Sequence, residues 1–414
     1  MPQSLPVTAE TILPPTPKGR RTLCLLYALG AALAVIAWQG ATVHFNYSGN
    51  WTALFMTGDV RPIPPELAAQ TYRFHGSTGY DGQFYRYVAH APWFRADWFT
   101  YFDSPRLRYR RILVPALAWL LAAGQDRRID AVYIGLIIGW IFLGAYWLGL
   151  FAAEEGHSPA WGLGFLLLPA TLTSIDRMTV DVALAALCVA FLRYAKKQAQ
   201  GKPADAGLYL VLALVPLVRD TGALLIAAQC GYELSRKRWR RAAGFATAIL
   251  PTVAWFACVF KYLPSVSTHS DRLYFLPSWL FKYPAIGIFL ELFRPAVYRF
   301  GPGLNRTLQF ADALALCGFL AVIAMGIWSL GRRPWDVEQW TILCFLALVL
   351  ATSTPRFWAQ VYSYARPFSP LILLTALGPL RRRAWWALAP LSAMVLRVAI
   401  QMTPQAAGIL RGLF

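Results

Sequence analysis

One octapeptide in this 414-residue chain sets a carboxylate among glycines and aromatic rings: Gly79-Tyr80-Asp81-Gly82-Gln83-Phe84-Tyr85-Arg86. A carboxylate so placed can take the proton of a hydroxyl group, which is general base chemistry. Phe84, Tyr87, Val88 and Ala91 recur at helical spacing, while Gln83, Arg86 and His90 fall on another face, so a short amphipathic helix is expected to start at Asp81. Asp before a helix is also a favoured cap for backbone N–H groups, and the spacing leaves both roles open. A second set of residues points to anions. Arg177, Arg219, Arg356 and Arg366 border apolar runs, where charge is costly unless paired or used. Planar guanidinium groups suit phosphate oxygens. Tyr85, Gln83 and Arg86 join them as candidate substrate contacts, Asp220 accompanies Arg219, and Asp59 and Asp176 are candidate second acids. An isolated Arg219-Asp220 pair also has the ordinary reading of an ion pair at a helix turn.

These residues need a membrane body to position them. The chain is 57% hydrophobic and 14% charged, whereas soluble domains are about 25% charged. The net charge of +19 resides mostly in clusters between apolar runs, the pattern of a topology signal and not of a nucleic-acid-binding surface. Residues 1–21 read as a proline-rich, disordered cytoplasmic tail ending in Lys18, Arg20 and Arg21. The run 22–45 is long enough to cross and too long for a signal core, so it is expected to be a retained helix with its N-terminus in the cytoplasm. Residues 46–129 form a first outer loop that carries Asp81. Within it, 111–124 is short for a span; an interfacial helix there keeps the later basic clusters on one side.

Further spans are expected at 131–151, 159–174, 178–194, 206–217, 221–234 and 242–263, completing an N-terminal membrane module over 22–263. A second outer loop, 264–306, precedes C-terminal membrane helices in 307–414, at 308–330, 340–351, 367–380 and 385–400. The fold class is therefore an all-α polytopic membrane protein of about eleven transmembrane helices, with interfacial amphipathic helices in its first outer loop. This topology gathers Asp59, Asp81, Arg86, Asp176, Arg177, Asp181, Arg219, Asp220, Arg356 and Arg366 on the outer side.

Several motifs are missing. The chain has no GxxxxGK[ST] loop and no HExxH, and His44, His75, His90, His157 and His269 lack metal-ligand spacing. Its six cysteines fall in apolar segments without CxxC. The sequence requires no cofactor and assigns no metal ligands, while leaving a divalent metal open. A lipid-linked glycan transporter or flippase would share the many spans and arginines, but should show internal repetition, which is absent. A non-catalytic subunit of a polysaccharide assembly complex would need no ordered carboxylate.

With its N-terminal span and its long outer loop carrying Tyr80-Asp81-Gly82-Gln83-Phe84-Tyr85, the chain resembles the GT-C class of polytopic glycosyltransferases. More narrowly, the order Gly79-Tyr80-Asp81-Gly82-Gln83-Phe84-Tyr85, then Arg108-Tyr109-Arg110-Arg111-Ile112-Leu113-Val114-Pro115, then Arg219-Asp220-Thr221-Gly222 is similar to a bacterial family named for cell-surface glycopolymer formation. The resemblance implies a sugar donor on polyprenyl phosphate, presented on the non-cytoplasmic face of the bacterial inner membrane. It also implies a glycan or lipid acceptor, membrane lipids as surroundings, and Asp81 as general base. The two-carboxylate and metal-dependent patterns of some members of the class do not map onto this sequence.

Overall fold

The computed structural model describes residues 17–263, 286–293, 296–298, 301–352 and 355–414. The expected tail before residue 17 and most of the expected second outer loop lie outside the described residues. No strand occurs among the described residues; one isolated bridge joins Gly58 to Phe74.

The named helices are α1 (Pro17–Asn46), α2 (Asp81–His90), α3 (Leu113–Leu121), α4 (Asp126–Glu154), α5 (Pro169–Arg177), α6 (Asp181–Ala199) and α7 (Asp205–Val218). They continue with α8 (Ala223–Ser235), α9 (Trp239–Tyr262), α10 (Pro302–Leu330), α11 (Val337–Ala351), α12 (Ser369–Arg381), α13 (Ala389–Gln401) and α14 (Thr403–Leu413).

The apolar composition is spent on two kinds of surface. On α1 the small residues Cys24, Ala28, Ala31 and Val35 are buried, while Leu25, Leu29, Leu33 and Ile36 stand exposed on the opposite face. A helix apolar all round, with its larger side chains outward, is built for a hydrocarbon surrounding. Its small-residue face packs on α4, and α4 in turn packs on α6. Residues 181–192 of α6 are all buried, which makes α6 the central post, flanked by α4, α5, α7 and α12.

Far fewer helices can cross a membrane than the expected eleven. Among the described residues four are long and apolar enough, in α1, α4, α9 and α10, with a fifth if residues 385–401 and α14, bent by 54°, count as one span. The expected spans at 206–217, 340–351 and 367–380 form helices of 14, 15 and 13 residues. At a rise of 1.5 Å per residue these reach roughly 20 Å, against the ~30 Å of a hydrocarbon core. The expected span at 159–174 divides at Leu168-Pro169 into a 3-10 stretch, Pro159–Leu167, and the nine-residue α5. Helix α3 is likewise nine residues, about 14 Å long.

Candidate functional site

The site forms where four helix ends meet: the N-termini of α2 and α6 and the C-termini of α5 and α7. The chain enters α2 from a brace in which Phe74 N–H donates to Thr57 O at 2.8 Å and Tyr80 N–H donates to Met56 O at 3.0 Å. Gln83 locks this brace: its Nε2 donates to Thr78 O at 3.0 Å and its Oε1 accepts from Gly58 N–H at 3.3 Å. Gly82 lets α2 approach α5, because a Cβ there would lie 2.2 Å from the Arg177 carbonyl oxygen.

Asp81 is the first residue of α2, and its neighbour Tyr80, at the cap position, makes no side-chain cap bond. The carboxylate turns instead to arginines. Arg108 Nη2 stands 3.0 Å from Oδ1, and Arg366 donates from both Nη1 and Nη2 to Oδ2 at 3.1 Å. Arg366 also donates to Asp181 Oδ2 at 3.2 Å and, through Nε, to the Tyr362 carbonyl. Arg219 holds the other oxygen of Asp181. A single guanidinium therefore links two acids from separate elements, and Asp181 sits at the helix end where the backbone dipole favours negative charge.

The remaining walls are aromatic and cationic. Arg108 is paired with Asp103 at 2.6 Å and lies 4.7 Å over the Phe84 ring. Arg111 Nη1 donates to the Tyr85 hydroxyl at 2.5 Å. Arg177 is held between the Tyr80 and Tyr362 rings, 4.4 and 4.6 Å from their centroids, and pairs with Asp176 at 2.9 Å. Gln405 Nε2 donates to the second oxygen of Asp176 at 2.5 Å. Arg219 reaches the site because α7, which contains Pro216, gives way to extended backbone there. Gly222 folds the following turn back on α7, where a Cβ would meet Val215 O at 2.5 Å.

Burial by itself would raise the pKa of Asp81, but Arg108, Arg366 and Arg111 outweigh it and hold the carboxyl well below the usual range. Burial pushes the Tyr80 phenol up to about 12. The site therefore holds an ionised carboxylate, a neutral phenol and a ring of guanidinium groups. Such a set can bind an anion and orient a hydroxyl.

Of the residues singled out in the sequence, Asp81, Tyr85, Asp176, Arg177, Arg219 and Arg366 converge here. Asp220 lies next to the cluster, 3.4 Å from Arg110 Nη2, with its Oδ1 buried and unpartnered. Gln83 belongs to the loop brace. Arg86 points to the other side of α2, bidentate to Asp130 at 2.8 and 2.7 Å and donating to Thr71 Oγ1 at 2.6 Å. Asp59 pairs with exposed His75 at 2.9 Å. The Arg356 side chain lies outside the described residues. Asp181, which the expected topology had already gathered on the outer side, and Tyr80 of the octapeptide join the cluster, and Arg108, Arg111 and Tyr362 complete the site without having been assigned a role in it. The signal for Arg108 and Arg111 was the basic run 108–111 directly before the short apolar stretch. Among the described residues, no three His, Cys, Asp or Glu side chains gather as a metal site would require.

No protein-family model, curated protein or solved structure matches this chain.

Proposed function

We propose that this chain is a polytopic membrane glycosyltransferase that moves a sugar from a polyprenyl-phosphate donor to a cell-surface glycan or lipid acceptor. The observation that carries the reading is the Asp81 carboxylate held by guanidinium groups from segments as distant as Arg108 and Arg366. Asp81 takes the proton of an acceptor hydroxyl as that oxygen attacks the anomeric carbon. The carbon's bond to the phosphate oxygen breaks, inverting the centre, and the lipid phosphate departs with the bonding electrons. Arg366, Arg219 and Arg177 offer fixed donors for the charge that grows on it.

The arginines also explain how a weak base could act. A carboxylate paired with two guanidinium groups attracts protons poorly. An incoming phosphate competes for Arg108 and Arg366 and returns basicity to Asp81, so donor binding precedes proton transfer. No metal is needed in this scheme, because guanidinium groups already neutralise the leaving phosphate.

The proposed setting is a bacterial inner membrane, with the N-terminus in the cytoplasm and the site on the periplasmic face. In support, the site borders the Asp130 end of α4, where Arg86 of α2 docks, whereas Arg193, Lys196 and Arg381 engage Glu154 and Glu155 at its other end. The residues between those ends span roughly 36 Å of helix, about a bilayer core. The test is sugar transfer from a lipid-phosphate donor by purified wild-type and Asp81→Asn protein. Wild-type rate in the variant would remove Asp81 as base; glycolipid transport without any transfer by either protein would replace the reading with a flippase.

A further inference from the structure

The end of the molecule opposite Asp81 carries cations that folding leaves over. Arg381 is spent there on Glu155 and Glu338. Its neighbours Arg382 and Arg383, and Arg332 and Arg333 from the turn after α10, stand exposed, and among the described residues none of these four has a carboxylate within salt-bridging distance. The acids closest in sequence are already taken. Glu338 belongs to Arg381, and Asp336 accepts the Glu338 and Gln339 N–H groups at the start of α11.

These arginines share an aromatic platform. Trp328, in the last turn of α10, has the Arg332 guanidinium 4.1 Å and the Arg382 guanidinium 5.1 Å from its ring centroid. Arg333 lies 4.9 Å from the Trp335 ring, which is pinned by its Nε1 donating to Leu330 O at 2.9 Å and by an edge contact with Trp340. The turn after α12 is closed by Ala384 N–H donating to Pro379 O at 2.9 Å, with Arg383 in the left-handed conformation, φ 56°, that glycine enters more readily. Stacking on a ring leaves the N–H edge of a guanidinium free for phosphate oxygens.

The position along α10 sets the depth of the patch. Helix α10 is one of the four able to cross a membrane, and Trp328 stands exposed at its end beside exposed Ile327. Trp385 and Trp386, just after Arg383, are exposed as well. Tryptophans at the end of an apolar span mark the level of lipid headgroups, and basic residues gathered between helix ends at that level meet anionic ones.

We propose that the Trp328 platform, with Arg332 and Arg382, binds the phosphate of an anionic membrane phospholipid, Arg333 and Arg383 adding charge at its edge. Charge complementarity selects an anionic headgroup, and the place at the end of a span selects a lipid over a soluble partner. The inference needs the membrane embedding alone and stands apart from the transferase reading.

Purified full-length protein in detergent is titrated with phosphatidylglycerol or phosphatidylcholine of the same acyl chains, and bound lipid is counted by native mass spectrometry. The first phosphatidylglycerol should bind about tenfold more tightly than phosphatidylcholine. Arg332→Gln combined with Arg382→Gln should remove most of that preference. Trp328→Ala changes no charge and should cut it about threefold by releasing both guanidinium groups. Lys237→Gln combined with Arg240→Gln takes the same charge from the exposed turn between α8 and α9 and should leave the preference unchanged. Equal affinity for the two lipids, or an unchanged preference in the Arg332 and Arg382 double variant or in Trp328→Ala, would overturn the proposal. An equal loss in the Lys237 and Arg240 double variant would also overturn it, reducing the patch to general positive charge. Full displacement of phosphatidylglycerol by an equimolar acidic peptide would replace the lipid with a protein partner. All the substituted side chains are exposed, and the comparison of lipids on the wild type needs no variant to fold.

Discussion

The two ends of α4 carry charge networks of opposite character. At the Glu154–Glu155 end four cations meet carboxylates: Arg193 and Lys197 reach Glu154, Lys196 reaches Glu155, and Arg381 forks onto both Glu155 and Glu338 at 2.6 to 2.7 Å. These side chains are partly exposed, with Arg381 at 30%, and the network clips α4, α6, α11 and α12 together. The network at the Asp81 end is more deeply buried, walled by aromatic rings, and includes Arg111 without a carboxylate and Asp220 with a buried oxygen unmet. A buried polar group left unmatched by its own chain costs stability, so the two networks differ in how completely folding satisfies them. On the proposed reading, the difference separates structural charge from charge that meets a ligand.

Substitutions at the two ends should part accordingly. The largest effect is expected for Asp81→Asn: a loss of roughly 10² to 10⁴ in sugar transfer, the usual worth of a general base, read as initial rate with a lipid-phosphate donor. Arg366→Gln should follow. It leaves Asp81 and Asp181 short of a shared, buried partner, which should cost about 3–5 kcal/mol in unfolding free energy and depress transfer as well. Gly82→Ala forces α2 away from the Arg177 carbonyl; a loss of about 1–3 kcal/mol is expected from overpacking, visible as a lower melting temperature with reduced transfer.

Arg381→Gln should cost only about 1 kcal/mol, since its pairs are partly screened by solvent, and should leave transfer per folded molecule unchanged. Equal loss of transfer in Arg381→Gln and Arg366→Gln would erase the distinction between the ends. The subtlest effect is in acid. The folded pKa of Asp81 is depressed by its arginines, so its contribution is complete above the unfolded value of about 3.9 and is lost only as pH falls further. The stability gap between wild type and Asp81→Asn should therefore stay flat from pH 7 to about 4 and narrow below, as followed by chemical denaturation.

The helical membrane character was legible because apolar content far above that of soluble domains leaves few alternatives. The number of crossings was not. Apolar runs at 159–174, 206–217 and 340–351 look like spans in a linear reading, but the first breaks at Leu168-Pro169 and the other two form helices of only 14 and 15 residues. At the site, Asp81 and Arg366 stood out as charges at the edges of apolar sequence. Gln83 and Arg86 shared the polar face of the same expected helix, yet periodicity cannot say what a face packs against. One braces a loop and the other docks on Asp130. Arg111 was hidden for the converse reason: in a run of basic residues nothing local distinguishes the one whose partner is missing.

Arg366 grips Asp81 across 285 positions of sequence. A nascent chain that has not yet reached the turn after Tyr364 carries its acid without this cation, so the order of synthesis delays assembly of the site until nearly all the helices before it have been made. A protein cut short anywhere in its last quarter before that point would keep most of its membrane body and lose the arrangement on which its chemistry is proposed to depend.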